Sequence, residues 1–112
     1  MSNIEERLVE LGIELPPCPQ PVAAYVPAVQ EGNLLYISGQ LPIKNGQVTL
    51  TGKVGREVSV EDAKAAARLC AINALSVIKS HTGSLERVKR VVRVGGFVSS
   101  AESFAGQPLV IN

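Results

Sequence analysis

The chain is 112 residues long, 46% hydrophobic and 4% aromatic with no tryptophan, and its eleven basic and ten acidic residues leave a formal net charge of +1. That length fits one domain with a modest core, and the scarcity of rings requires the core to be built from Val, Leu, Ile and Ala. The near-neutral balance weighs against a domain held to nucleic acid mainly by phosphate neutralisation. The two cysteines, Cys18 and Cys70, lie far apart and form no C-x-x-C pair, so neither a zinc site nor a redox motif is indicated. No leader-like N-terminus, membrane-length apolar run or Asn-x-Ser/Thr sequon occurs, and a cytoplasmic protein with free thiols is expected.

Residues 3–11 carry Ile4, Leu8 and Leu11 at helical spacing, and Gly12 offers a stop, which predicts a short amphipathic helix. Glu14 to Pro21 holds four of the seven prolines and reads as a stiff, extended connector. Two strand-like runs follow, Val22 to Val29 and Leu34 to Ser38, separated by Gln30-Glu31-Gly32-Asn33, and an antiparallel hairpin is expected. Asn45-Gly46, flanked by Leu41, Ile43, Val48 and Leu50, is a favoured pair for a two-residue primed turn.

A long helix is predicted from Ser59 as N-cap, with Asp62 as a short-armed capping-box partner, to about Ser80 or His81. Ala63, Ala66, Ala67, Cys70, Ala71, Ala74, Leu75 and Ile78 make its apolar face, with Glu61, Lys64, Arg68, Ser76 and Lys79 opposite and Gly83 as the stop. Val88 to Val98 reads as a long strand, in which Gly95-Gly96 marks a bulge or a close approach by a ligand or another chain. Leu109-Val110-Ile111 begins a further element. The order of elements predicts α+β with a mainly antiparallel sheet.

Motifs with chemical potential are few. Gly52-Lys53 resembles the end of a phosphate-binding loop, but five residues separate it from Gly46 and Val54 stands where Ser or Thr is needed. His81 is the lone histidine and sits where a cation suits a helix C-terminus; with no triad partner or second ligand it indicates neither nucleophilic catalysis nor a metal. Glu61-Asp62 complements the helix dipole. Arg87, Lys89 and Arg93 share one strand parity and Arg90 the other, a solvated or interface surface in preference to an RNA stripe. Tyr25 reads as a core or edge tyrosine. Ser38 and Gly39, at the exit of a strand, offer a hydroxyl and an approachable backbone. These residues allow a small-molecule pocket without identifying a reaction.

Taken in order, Ala24-Tyr25-Val26-Pro27-Ala28-Val29, Gly32 to Pro42 with its Ser-Gly-Gln-Leu-Pro end, Gly52-Lys53-Val54-Gly55, Ala66-Ala67-Arg68, Asn73-Ala74-Leu75 and Val92 to Val98 resemble the YjgF, or Rid (reactive intermediate deaminase), family. The leading helix and Gly-Lys-Val-Gly resemble its longer branch, whose members carry endoribonuclease L-PSP-like and translation-inhibitor-like labels. The resemblance implies a chorismate-mutase-like α+β fold, a sheet covered by helices on one face, and a homotrimer with a ligand pocket in each intersubunit cleft. It further implies hydrolysis of enamines or imines to 2-oxo acids and ammonia, with no cofactor, no metal and no membrane partner. By position, Tyr25, Ser38 and Gly39 match the family's ligand-lining residues and Asn112 matches a pocket asparagine. The family's carboxylate-binding arginine and water-positioning glutamate belong to two last strands that this chain does not reach. None of Arg68, Arg87, Arg90 and Arg93 stands in that motif. The expectation is therefore an incomplete portion of a longer protein, the alternative being a truncated paralogue, and a polypeptide that as written lacks deaminase activity. A non-catalytic metabolite-binding or interaction protein of the same fold is the competing reading, with ribonuclease activity third.

Overall fold

The computed structural model describes residues 3–19 and 24–112, and its first element starts where the sequence supplies a cap. In α1 (Ile4–Glu10) the Asn3 side chain accepts from the Glu6 N–H at 2.7 Å and the Glu6 carboxylate accepts from the Asn3 N–H at 3.4 Å, a complete capping box. At the other end Gly12 adopts φ 70°, its N–H bonds Val9 O at 3.0 Å, and the Ile13 N–H bonds Leu8 O at 2.9 Å. This Schellman closure needs the left-handed backbone that glycine allows.

Seven residues are too few for an independent helix, and α1 is held from outside. The Glu86 carboxylate accepts from the N–H groups of Ile4 and Glu5, at 3.0 and 2.9 Å. In return the Glu5 carboxylate accepts from the Leu85 N–H at 3.2 Å and from Lys79 Nζ at 2.8 Å. Two carboxylates are thus exchanged between the start of α1 and the start of a 3-10 turn, Leu85–Arg87.

The connector has neither helix nor strand over residues 14–19; Gln20 and Pro21 lie outside the described residues. The first hairpin pairs β1 (Ala28–Glu31) with β2 (Leu34–Ile37), antiparallel, Ala28 opposite Ile37 and Glu31 opposite Leu34. Val22 and Ala23 of the expected strand lie outside the described residues, and residues 24–27 are not strand, because Pro27 has no N–H to extend the ladder. The turn is also tighter than expected, since Gln30 and Glu31 belong to β1. Gly32 alone has a positive φ, 60°, which is the type II′ pattern. In the second hairpin β3 (Ile43–Lys44) pairs with β4 (Gln47–Val48) around Asn45 and Gly46, φ 53° and 78°, the type I′ turn that this dipeptide favours.

Helix α2 (Val60–Thr82) begins as expected, with Ser59 Oγ accepting from the Asp62 N–H at 3.1 Å, and closes with the Gly83 N–H on Lys79 O at 2.8 Å. Its covered face differs from the expected one, which included neither Asn73 nor Val77. Ala71 is exposed, and Ser76, assigned to the polar side, is buried with Asn73 and Val77. The reason is the proline connector: the Ser76 hydroxyl donates to Pro16 O at 2.9 Å, giving a donor to a carbonyl of a segment poor in N–H groups. Among the described residues no buried side-chain N or O lacks a partner.

Two compact units result, Met1–Gln40 with Ile72–Val91, and Leu41–Ala71 with Val92–Asn112. In the first, Leu8, Val77 and Leu85 are buried. In the second, Val54, Val58, Ala63 and Val110 form a core against which Val98 and Phe104 pack, with α3 (Gln107–Ile111) as the element begun by Leu109-Val110-Ile111.

The long strand expected over Val88–Val98 is not present. Val91, Val92, Val94 and Phe97 are all exposed, Phe97 fully at 102%, and only beyond them does the chain meet Val54, whose N–H bonds Ser99 O and whose O accepts from the Ala101 N–H. β-propensity reports how side chains suit a pleated surface and does not supply a neighbouring strand. Nor is Gly96 a bulge: a Cβ there would stand 2.6 Å from Ile111 Cδ1, so the close approach is made by this chain's own α3. Helices and antiparallel hairpins together make the α+β class expected.

Candidate functional site

The exit of β2 brings two of the sequence-selected positions to one end of the first hairpin. The Ser38 N–H donates to Pro27 O at 2.9 Å, continuing the ladder one step past Ile37 and setting Ser38 beside the segment that carries Tyr25. Tyr25 is 40% exposed, which is neither the core nor the fully satisfied environment of a structural tyrosine. Ser38 is half-buried. Gly39 is exposed, and no described atom outside its neighbours comes within 4 Å of where its Cβ would stand. A ligand can therefore reach main-chain groups at this turn.

Asn112 belongs to the other unit. It is exposed and caps α3 through its N–H on Pro108 O at 2.9 Å.

Gln40 was not singled out from the sequence. Its carboxamide folds back on the turn, with Nε2 3.1 Å from Ser38 O and 3.3 Å from Ser38 Oγ. The signal was available in the Ser-Gly-Gln spacing, because a side chain two residues on can return to the backbone of the first.

The remaining polar groups have local roles. His81 Nε2 lies 3.1 Å from Gln30 Oε1, while Gln30 Nε2 donates to Gly32 O at 3.0 Å. Gln30 Oε1 is thus the acceptor and His81 Nε2 the donor. The pair ties the end of α2 to the β1 turn. Glu61 and Asp62 are exposed in the first turn of α2, the favourable end for negative charge. Arg87, Lys89, Arg90 and Arg93 are exposed, Arg87 closing the 3-10 turn and the other three outside any strand, so no strand parity separates them. Cys18 and Cys70 are free, and burial pushes the Cys70 thiol up from its ordinary pKa, away from nucleophilic use. Among the described residues no group of three His, Cys, Asp or Glu is arranged to hold a metal ion, and no helix is long and apolar enough to cross a membrane. A cleft of about 450 Å³ is lined by Leu8, Val9, Ile13 and Leu15 with Glu5, Glu14 and Lys79. Glu5 and Lys79 are paired with each other at 2.8 Å.

Residues 5–112 match the family described as "YjgF/chorismate_mutase-like, putative endoribonuclease". Protein TCP17 of Trypanosoma cruzi is 40% identical over 111 residues, which is 99% of this chain and 69% of that protein. A crystal structure of the protein Atu1372, of unknown function, from Agrobacterium tumefaciens has a TM-score of 0.85 at 48% identity, covering 97% of this chain and 66% of that one. Another, of a "putative endoribonuclease" from Shewanella oneidensis, has a TM-score of 0.94 at 32% identity, covering 98% and 73%. The chain thus spans about two thirds to three quarters of the length of these relatives. With the pattern matched over residues 5–112 and the fold shared at a TM-score of 0.94 with a relative 32% identical, the chain belongs to the YjgF/chorismate-mutase-like family.

Proposed function

We propose that this protein binds small 2-imino and 2-oxo acids and, in its full-length form, hydrolyses the imine to the oxo acid and ammonia. The observation that carries the reading is the open end of the first hairpin. There Ser38 and the unobstructed backbone of Gly39 adjoin, and the bond from Ser38 N–H to Pro27 O sets them beside the segment that carries the exposed ring of Tyr25. Such a site suits a substrate whose reacting carbon is already electrophilic. Water adds to the imine carbon, the nitrogen takes up the electron pair and a proton, and the carbinolamine expels ammonia to leave the ketone. The protein has to hold the acid and orient water, which is positioning and electrostatics. The exposed Val91, Val92, Val94 and Phe97 favour self-assembly, and a homotrimer with ligand in its intersubunit clefts is the form we propose. A metabolite-binding protein without turnover is the same site with the chemistry lost.

A second reading draws on the family's description and on the name of the Shewanella relative, both of which speak of an endoribonuclease. Arg87, Lys89 and Arg90 are exposed close together within the first unit, a short basic run suited to phosphates. The test is decay of freshly generated 2-iminobutanoate with the full-length protein and its Tyr25→Phe variant, beside incubation with single-stranded RNA. Accelerated imine loss, slowed by the substitution, is expected. Imine loss no faster than in buffer removes the hydrolase, and RNA cleavage in its stead moves the function to the basic run.

A further inference from the structure

Gln40 returns to the serine two residues before it, and the polarity of that contact can be worked out. Nε2 lies 3.1 Å from the carbonyl oxygen of Ser38. A carbonyl only accepts, so the face of the carboxamide turned to Ser38 must be the NH2. The same NH2 lies 3.3 Å from Ser38 Oγ, and an amide nitrogen has no lone pair with which to accept. Ser38 Oγ is therefore the acceptor toward Gln40, and its own proton is left over. Among the described residues no acceptor takes that proton.

We propose that Gln40 is a positioning residue that fixes the Ser38 hydroxyl as a hydrogen-bond donor toward the carboxylate or oxo oxygen of a ligand at the open end of the first hairpin. This rests on the 2-oxo acid reading and sharpens it. Both ends of a 2-oxo acid accept only, so a serine committed to donating matches them. An ammonium at the same position offers no lone pair, and the matching amino acid binds less well.

Two substitutions separate this role from general support of the turn. Gln40→Met removes the NH2 and frees the hydroxyl to rotate. Gln40→Glu presents an acceptor, which captures the hydroxyl proton and reverses the polarity of Ser38. The experiment is calorimetric titration of the full-length protein with 2-oxobutanoate and with 2-aminobutanoate, for wild type, both Gln40 variants, Ser38→Ala and the two double variants, with circular dichroism melts to establish that each is folded. The expected order of affinity for the oxo acid is wild type, then Gln40→Met about five- to ten-fold weaker, then Gln40→Glu weaker again. The preference for oxo over amino acid shrinks in the same order. In the Ser38→Ala background the Gln40→Met loss disappears, which a purely structural role does not predict. A Gln40→Met loss of equal size with and without the Ser38 hydroxyl, or no loss, overturns the positioning role while leaving the 2-oxo acid reading intact. No binding by wild type overturns the reading itself and this inference with it.

Discussion

Replacing Glu86 with alanine is expected to release α1 while leaving the remainder of the protein folded. Glu86 supplies both acceptors for the first two N–H groups of that helix, Ile4 and Glu5, and only the third, Glu6, has the Asn3 cap. Loss of a side-chain cap costs about 1 kcal/mol, and removing a negative charge from a helix N-terminus adds about 0.3–1 kcal/mol. The bonds are solvent-exposed, so water takes up the freed N–H groups and the higher figures for buried bonds do not apply. The sum, about 1–2 kcal/mol, raises the open population of α1 by a factor of about 5–30. Its own seven residues cannot resist this. The 3-10 turn keeps its Ser84 cap, because the bond from the residue 86 N–H to Ser84 Oγ does not involve the removed carboxyl. Glu86→Gln keeps one acceptor oxygen but turns an NH2 toward the other N–H, and recovers at most part of the loss. Amide hydrogen exchange reads the effect directly, with faster exchange at Leu8, Leu11 and Ile13 and unchanged exchange within α2. Unaltered protection of α1 in a folded Glu86→Ala protein would refute the clasp.

Three further expectations follow from other contacts. Glu5 has its pKa lowered by the Lys79 hydrogen bond first and the Leu85 N–H second. A folded-state pKa below the unfolded one means its contribution is complete above the ordinary glutamate range and fades as pH falls through the lowered value. Urea midpoints of wild type and Glu5→Gln should therefore differ at pH 7 and converge toward pH 3; a gap that ignores pH contradicts the assignment. Leu85 is 1% exposed, and Leu85→Ala should cost about 2–4 kcal/mol in urea unfolding, against which a loss below about 0.5 kcal/mol, the level of an ordinary surface change, would count. In the imine assay Tyr25→Phe should lower turnover while leaving the melting temperature unchanged, since the ring is not part of a buried core.

Local signals in the sequence reached the structure where one residue decides the backbone. Gly12, Asn45-Gly46, Ser59 and Gly83 each sit where a cap or turn needs that residue, and α1, the second hairpin and α2 follow from them. Signals that depend on what lies opposite did not. The Val-rich run after Lys89 has the composition of a strand but, among the described residues, meets no strand partner before Ser99. The exchange of carboxylates between Glu5 and Glu86 joins residues about eighty positions apart, and no periodicity reports it. Ser76 was assigned outward by helical phase and is covered because Pro16 needs its proton. At the candidate site, the Ser38-Gly39 exit was legible from the small residues at a strand end. The use of Gln40 was not, because it depends on a carboxamide folding back within the turn.

The most direct measurement is an NMR titration of the full-length, 15N-labelled protein with 2-oxobutanoate. Saturable shifts are predicted at the Ser38 and Gly39 amides and at the Gln40 side-chain NH2, with the amides of the Asn45-Gly46 turn unmoved. Shifts confined to residues 87–97, or none at saturating oxo acid, would contradict a ligand site at the end of the first hairpin.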